Sequence, residues 1–375
     1  MKKFKTAVIG TGFIGVVHIE ALRRLGNVEV VAICDTFNVE EKAKQLYIDN
    51  TFTDYKKMID QLDLDFVHVC TPNNTHYPIA KYALENNINV VLEKPLTLNI
   101  KEAKELAELA ESKNLINAVN YHNRLYPACA YAKTLVEQGK IGNVFSVNGT
   151  YIQDWLLYDT DYSWRLNSNE SGLTRAVADI GSHWMDLVEY ITGNKITEVF
   201  AEFKTVHPRR KKSLGETKTF STNKSDNYEL IDIDTEDMAM IMYRFDNGAI
   251  GNATFSQMSA GIKNRIEMLL SGDKASLEWN LANLTDVQIR YRDKPTEIIS
   301  KDTILMPEVK DLIDYPSEHM EGFPDAFKQV FKQVYNQPKR KLYANFKDGL
   351  RQMILNEKIY ESARTSTWVK IDEVK

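Results

Sequence analysis

The chain has 375 residues, of which 43% are hydrophobic, enough for a large core and, at about 150 residues per domain, for roughly two domains. Its 52 acidic residues outnumber its 47 basic ones, a formal net charge of -5, so nucleic acid is not an expected partner. Three scattered cysteines, Cys34, Cys70 and Cys129, carry neither metal-ligand spacing nor a disulfide framework, and no stretch approaches the ~18 consecutive apolar residues of a bilayer span. No metal and no membrane are expected, and a cytoplasmic location is the default. The charged start Met1-Lys2-Lys3 is followed by an apolar segment broken by Gly10, Gly12 and Gly15, which does not read as a secretion signal.

From residue 4 to about 120, short apolar runs alternate with helix-period segments, the pattern of βαβ units on a parallel sheet. Thr6–Ile9 reads as a buried strand, and Gly10-Thr11-Gly12-Phe13-Ile14-Gly15 follows it at the start of a helix. These glycines allow a tight turn and close approach of backbone to a pyrophosphate on the helix N-terminus. Val28–Cys34 is the second strand, and Asp35 closes it where a carboxylate can accept from adenosine ribose hydroxyls. Such a carboxylate repels a 2′-phosphate unless a cation compensates. Thr36, Phe37 and Asn38 supply none, so NAD(H) is expected over NADP(H).

Phe66–Cys70 reads as a third strand, and Thr71, Pro72, Asn73 and His76 after it as groups beside the nicotinamide ribose and pyrophosphate. A capped turn before a helix from His76 to Asn86 would explain the same letters. The run from Asn89 ends on Glu93-Lys94-Pro95, which puts a lysine at the mouth of the sheet, where a cofactor's reactive end is expected. A helix follows over Lys101–Lys113, with Ala103, Leu106, Ala107 and Ala110 on one face and Asn99 as N-cap, Glu102 lying three residues later.

After about residue 125 the strands lengthen and alternate. Asn143–Gln153, Ile196–Thr205, Asp237–Phe245, Ala249–Gln257, Arg265–Ser271 and Val287–Arg292 read as strands, with hairpin turns at Asp246-Asn247-Gly248-Ala249 and Ser271-Gly272-Asp273-Lys274. The polar stretch from His207 to Asp232, opening on Arg209-Arg210-Lys211-Lys212, reads as a solvated insertion loop. Phe346–Arg364 is again helical. The fold class is α/β, a doubly wound parallel Rossmann domain over 1–124, followed by an α+β domain with a large, mostly antiparallel open sheet over 125–375.

Asp179, His183 and Asp186 stand at i, i+4 and i+7, one polar stripe on a helix whose apolar stripe is Ile180, Trp184 and Leu187. The polar stripe suits a solvated face, a metal site still in need of ligands from elsewhere, or a proton-transfer pair.

The glycine loop, Glu93-Lys94-Pro95 and the Asp179/His183 pair, in that order along nearly the whole chain, resemble the family of glucose–fructose oxidoreductase, inositol dehydrogenase and their rhizopine-catabolism relatives (Gfo/Idh/MocA). The resemblance implies an NAD-dependent enzyme that oxidises a ring hydroxyl of a sugar or polyol, or reduces the keto-sugar. Lys94 would hydrogen-bond the reacting hydroxyl, His183 would act as its base, and Asp179 would fix or polarise the pair, with Gly10, Gly12, Phe13, Ile14, Gly15, Asp35, Thr71, Pro72, Asn73, His76, Glu93 and Lys94 around the cofactor. Histidine's pKa near working pH suits proton withdrawal as hydride leaves carbon.

The segments Gln153–Leu157, Tyr162–Arg165, Ser171–Ala176 and Ser256–Gly261 resemble members acting on anhydrosugars and glycosides, of the levoglucosan dehydrogenase and disaccharide 3-dehydrogenase kind. Trp155, Tyr158, Trp164 and Arg165 are candidates to stack on a sugar and donate to its hydroxyls. Asn120, Tyr121, His122, Arg124, His183 and His319 are further wall candidates. The alternatives are an NAD-retaining glycosidase that oxidises its sugar transiently, and a non-catalytic sensor, which would be expected to lack Lys94 or His183. The alternating strands Met240–Phe245 and Ala253–Met258 suggest a sheet face that pairs copies into a homodimer or homotetramer.

Overall fold

In the computed structural model, residues 3–214 and 227–372 are described. The apolar runs of the first part become β1 (Phe4–Ile9), β2 (Val28–Cys34), β3 (Asn50–Phe52), β4 (Phe66–Val69), β5 (Asn89–Leu92) and β6 (Asn117–Val119). Between them lie α1 (Phe13–Arg23), α2 (Val39–Leu46), α3 (Tyr55–Gln61), α4 (His76–Glu85) and α5 (Ile100–Ser112). The six strands pair in the order β3-β2-β1-β4-β5-β6, all parallel. The order reverses between β1 and β4, so the loops after those two strands diverge and open the crevice in which such sheets bind nucleotides.

The sheet is buried on both faces, which is why its strands read as continuous apolar runs rather than alternating ones. Helix α5 buries Ala103, Leu106, Ala107 and Ala110, the face its periodicity predicts. Its N-cap Asn99 accepts from the Glu102 amide at 3.0 Å, a cap worth about 1 kcal/mol.

The chain divides into two units, Met1–Leu125 with Gly322–Met353, and Tyr126–Glu321 with Ile354–Lys375. A single cut near residue 124 therefore misassigns residues 322–353, which join the first unit. The reason is aromatic packing. The helix over Phe323–Asn336 places Phe331 against His18 and His68, both at 4.7 Å, and Tyr335 against Phe66 at 4.2 Å. Val119 also bridges Ala344.

The second unit carries α6 (Pro127–Glu137), β7 (Val144–Ile152), α7 (Ser168–Ser171), a π-helical turn over Val177–Gly181 and α8 (Ser182–Thr192). There follow β8 (Ile196–Lys204), β9 (Arg209–Ser213), β10 (Tyr228–Asp232), β11 (Met238–Phe245), β12 (Ile250–Ser256), β13 (Arg265–Gly272), β14 (Ser276–Asn280), β15 (Asp286–Arg290) and β16 (Glu297–Ser300). Helix α9 is Phe323–Asn336 of the first unit, α10 spans Phe346–Thr365, and β17 is Val369–Lys370. Among the described residues nine strands form one sheet in the order β16-β15-β14-β13-β7-β12-β11-β8-β17. Its central β7–β12 pair is parallel and every other pair antiparallel. Both expected hairpins form, with Gly248 at φ +84° in the first.

One expectation fails in the described parts of residues 207–232. The flanks of that stretch are strands, β9 pairing antiparallel with β10, while residues 215–226 lie outside the described residues. Nor is its basic run uniformly solvated. Arg209 is exposed while Arg210 is fully buried, a strand alternation that the run of positive letters hides. Among the described residues no helix is long and apolar enough to cross a membrane.

Candidate active site

The glycine loop has the geometry a dinucleotide needs. Gly10 sits at φ +87°, and a Cβ there would lie 2.6 Å from the Cys70 carbonyl oxygen, so only glycine fits between β1 and β4. A Cβ on Gly15 would meet the Gly10 oxygen at 2.0 Å, whereas one on Gly12 would meet nothing within 4 Å. Gly12, the N-cap of α1, thus leaves an open cradle at the helix's positive end, flanked by Phe13 and Ile14, and this fits a pyrophosphate. At the end of β2, Asp35 Oδ2 accepts from the Thr11 amide at 2.7 Å, the Thr11 hydroxyl at 2.6 Å and Lys42 Nζ at 3.1 Å. Burial raises the Asp35 carboxyl, but these donors outweigh it and hold the pKa below the usual range. Lys42 corrects the sequence reading: a cation does face Asp35, delivered by the first turn of α2 rather than by the next three letters.

After β4, Thr71 and Pro72 lead into a 3-10 turn over Asn73–Thr75. His76 is fully buried, with Nδ1 2.8 Å from the Pro95 carbonyl oxygen and Nε2 2.9 Å from that of Thr71. It staples the two loops at the carboxyl ends of β4 and β5. Glu93 follows β5 and is buried, accepting from His18 Nε2 at 3.0 Å and Asn120 Nδ2 at 2.5 Å on one oxygen and from the Lys94 amide at 3.3 Å on the other. Burial raises its carboxyl, yet donation from His18 and Asn120 brings the pKa down to about 2. Lys94 is half-buried beside this fixed carboxylate.

The four wall candidates after β6 lie inside the first unit. Asn120 is fully buried, and its Oδ1 has no partner among the described residues, an acceptor fit for a donor from a bound group. Tyr121 belongs to the apolar core. His122 lies against Phe323 and Phe327, and burial brings its pKa down to about 4. Arg124 pairs with Asp348 at 3.2 Å.

In the second unit the polar stripe is not solvated: His183 and Asp186 are buried, as is the apolar stripe of Ile180, Trp184 and Leu187. Asp179 stands on the π turn, a local widening of the helix that re-aims side chains and recurs at functional sites. Its carboxylate accepts from Arg165 Nε at 3.2 Å and Gln257 Nε2 at 3.0 Å. The Arg165 guanidinium lies 4.6 Å over the Trp164 ring, and the Tyr151 ring lies 6.2 Å from that of His183. Trp164, Arg165 and Asp179 are therefore one contact group. Trp155 donates to the Lys263 carbonyl at 2.8 Å, Tyr158 is exposed, and His319 sits on an exposed loop with its ring 3.2 Å from the Ser317 carbonyl.

Two buried arginines escaped the sequence reading. Asp237 is fully buried between Arg175 and Arg210, accepting from both. Arg210 also donates to the carbonyls of Leu156, Tyr158 and Asp161, so it fixes the loop that carries Trp155 and Tyr158. Glu236 accepts from the Arg175 and Val177 amides at the entrance to the π turn.

Residues 4–121 match the oxidoreductase family, NAD-binding Rossmann fold, and residues 129–278 match the Gfo/Idh/MocA C-terminal domain. The chain is 26% identical to levoglucosan dehydrogenase of Pseudarthrobacter phenanthrenivorans, with both chains covered in full. It is also 26% identical to myo-inositol 2-dehydrogenase of Thermotoga maritima, over 70% of this chain and 72% of that one. A solved structure of levoglucosan dehydrogenase in complex with NADH and levoglucosan superposes with a TM-score of 0.88 at 25% identity, covering 99% of this chain and 100% of that one.

Proposed function

The chain belongs to the Gfo/Idh/MocA family of NAD-dependent sugar and polyol oxidoreductases, and from that premise we propose that it oxidises a ring hydroxyl of a sugar, anhydrosugar, glycoside or polyol, or reduces the matching keto-sugar. The observation that carries this reading is Lys94, half-buried at the carboxyl end of β5 beside the fixed Glu93 carboxylate, in the sheet whose β1 ends on the dinucleotide cradle. Bound NAD supplies the hydride acceptor. It would be held by Gly10, Gly12, Phe13, Ile14 and Gly15 at the pyrophosphate, by Asp35 at the ribose, and by Thr71, Pro72, Asn73 and Glu93 toward the nicotinamide, with His76 keeping that wall in place.

Lys94 donates a hydrogen bond to the reacting hydroxyl and stabilises the negative charge that develops on its oxygen. His183 takes the hydroxyl proton, and Asp179, gripped by Arg165 and Gln257, fixes the base and the sugar's orientation. Trp155, Tyr158, Trp164 and Arg165 supply aromatic faces and donors to the sugar, with Asn120, Tyr121, His122, Arg124 and His319 as further walls. Met240, Met242 and Ile250 are exposed on the large sheet while Ala239, Ile241 and Tyr243 are buried, which supports pairing of that face with a second copy in a homodimer or homotetramer.

Lys94→Ala and His183→Ala test the roles: each should lower turnover by about a hundredfold or more, the range of a lost general acid-base group, while NADH affinity stays near that of the parent. Full activity in either variant would remove that residue from the mechanism.

A further inference from the structure

Five groups from five separate segments form one unbroken hydrogen-bonded chain inside the first unit. The Thr6 hydroxyl of β1 lies 2.8 Å from the Tyr335 hydroxyl of α9, which lies 3.0 Å from His68 Nε2 of β4. His68 Nδ1 lies 2.9 Å from His18 Nδ1 of α1, and His18 Nε2 lies 3.0 Å from Glu93 Oε1. Thr6, His18 and His68 are wholly buried. Phe331 walls both imidazoles and Phe327 one of them.

With both imidazoles neutral, the chemistry of these groups leaves little freedom. A carboxylate only accepts, so His18 Nε2 must carry hydrogen toward Glu93. In a neutral imidazole Nδ1 is then an acceptor, so the hydrogen between the two rings belongs to His68 Nδ1. His68 Nε2 accepts in turn, the Tyr335 hydroxyl donates to it, and Thr6 donates to Tyr335. With the other tautomer of His18, a bare Nε2 lone pair would face the Glu93 oxygen across 3.0 Å.

We propose that His68 is a positioning residue for Glu93: by donating from Nδ1 it selects the Nε2–H tautomer of His18, which holds the Glu93 carboxylate beside Lys94. Tyr335, 267 residues along the chain from His68, sets His68 in the same way, so the returning helix α9 orders protons next to the catalytic lysine. Burial pushes the His68 imidazole well below its ordinary pKa, in keeping with a neutral ring that relays orientation rather than charge. The effect on catalysis rests on the reading of Lys94 given above; the proton order does not.

Nitrogen-15 NMR of the histidines in the full chain at neutral pH, with His68→Asn and His68→Leu alongside, tests it. Asparagine keeps an N–H donor in place of Nδ1, whereas leucine keeps apolar volume and no donor. The expected result is His18 as Nε2–H and His68 as Nδ1–H in the parent, with the His18 tautomer kept in the asparagine variant and lost in the leucine one. On the sugar that supports turnover, kcat should stay within about threefold for asparagine and fall about tenfold for leucine, the loss of one hydrogen bond to a charged partner. His68 as Nε2–H, His18 doubly protonated, or leucine matching the parent while asparagine fails would overturn it, the last being the behaviour of a side chain that only fills space. Turnover surviving in Lys94→Ala would sink the Lys94 role alone, because the NMR result does not depend on it.

Discussion

Lys42 Nζ stands 3.1 Å from Asp35 Oδ2, so the carboxylate proposed to meet the adenosine end of the cofactor carries a cation beside it. Asp35, the proposed ribose acceptor, is held as a carboxylate, and Lys42 partly neutralises it. Replacing Asp35 by Ala removes a charged acceptor worth about 1.5–3 kcal/mol and leaves Lys42 to meet a 2′-phosphate. NADH affinity should fall about tenfold or more, and NADPH affinity should hold or rise. Fluorescence titration with both cofactors reads this directly, and an equal loss for the two would remove Asp35 from the ribose site.

Asp237 is the carboxylate shared by two fully buried guanidinium groups. Truncating one partner of a buried ion network leaves uncompensated charge, at a cost of about 3–5 kcal/mol. Asp237→Ala should therefore lower the urea midpoint far more than Asp232→Ala, which removes an exposed ion-pair partner of Arg209 and should change stability by under about 1 kcal/mol. Comparable midpoints for the two variants would contradict the account of this triad.

Glu236 gives the second unit a pH signature. Burial pushes its carboxyl up from 4.5 to about 7, outweighing the amides that bond it. A carboxyl raised in the folded state stabilises fully below its unfolded pKa, and that contribution declines as pH climbs through the folded value. Stability should thus drop between about pH 4.5 and 7 through this group, and Glu236→Gln should flatten that part of the profile. Glu93, lowered to about 2, acts in the opposite sense: its contribution is present above its unfolded pKa and is lost as pH falls toward 2, in a separate acid window. Urea midpoints at stepped pH distinguish the two.

Local patterning carried much of the fold into the letters. Val28–Cys34, the buried face of α5 and both hairpin turns are visible because period and turn chemistry act over a few residues. What hid were relations made only by folding. Lys42 reaches Asp35 because α2 turns back on β2, and Arg210 looks like part of a solvated run until strand alternation takes it inward. Residues 322–353 join the first unit because α9 packs aromatic rings against α1 and β4, which no local window encodes. The π turn also escaped, since helical spacing assumes a regular winding through Asp179 and His183. Motif order identified the family, whereas the buried networks behind it needed three dimensions.

The most direct measurement is NADH formation by the purified protein on levoglucosan and a panel of monosaccharides, inositols and disaccharides, with NAD and NADP compared and sugar products analysed in parallel. The account predicts NADH in step with a keto-sugar from at least one ring-hydroxyl substrate, and better turnover with NAD than with NADP. Cleavage of a glycoside without net NADH, or no turnover in either direction when keto-sugars and NADH are also supplied, would contradict it.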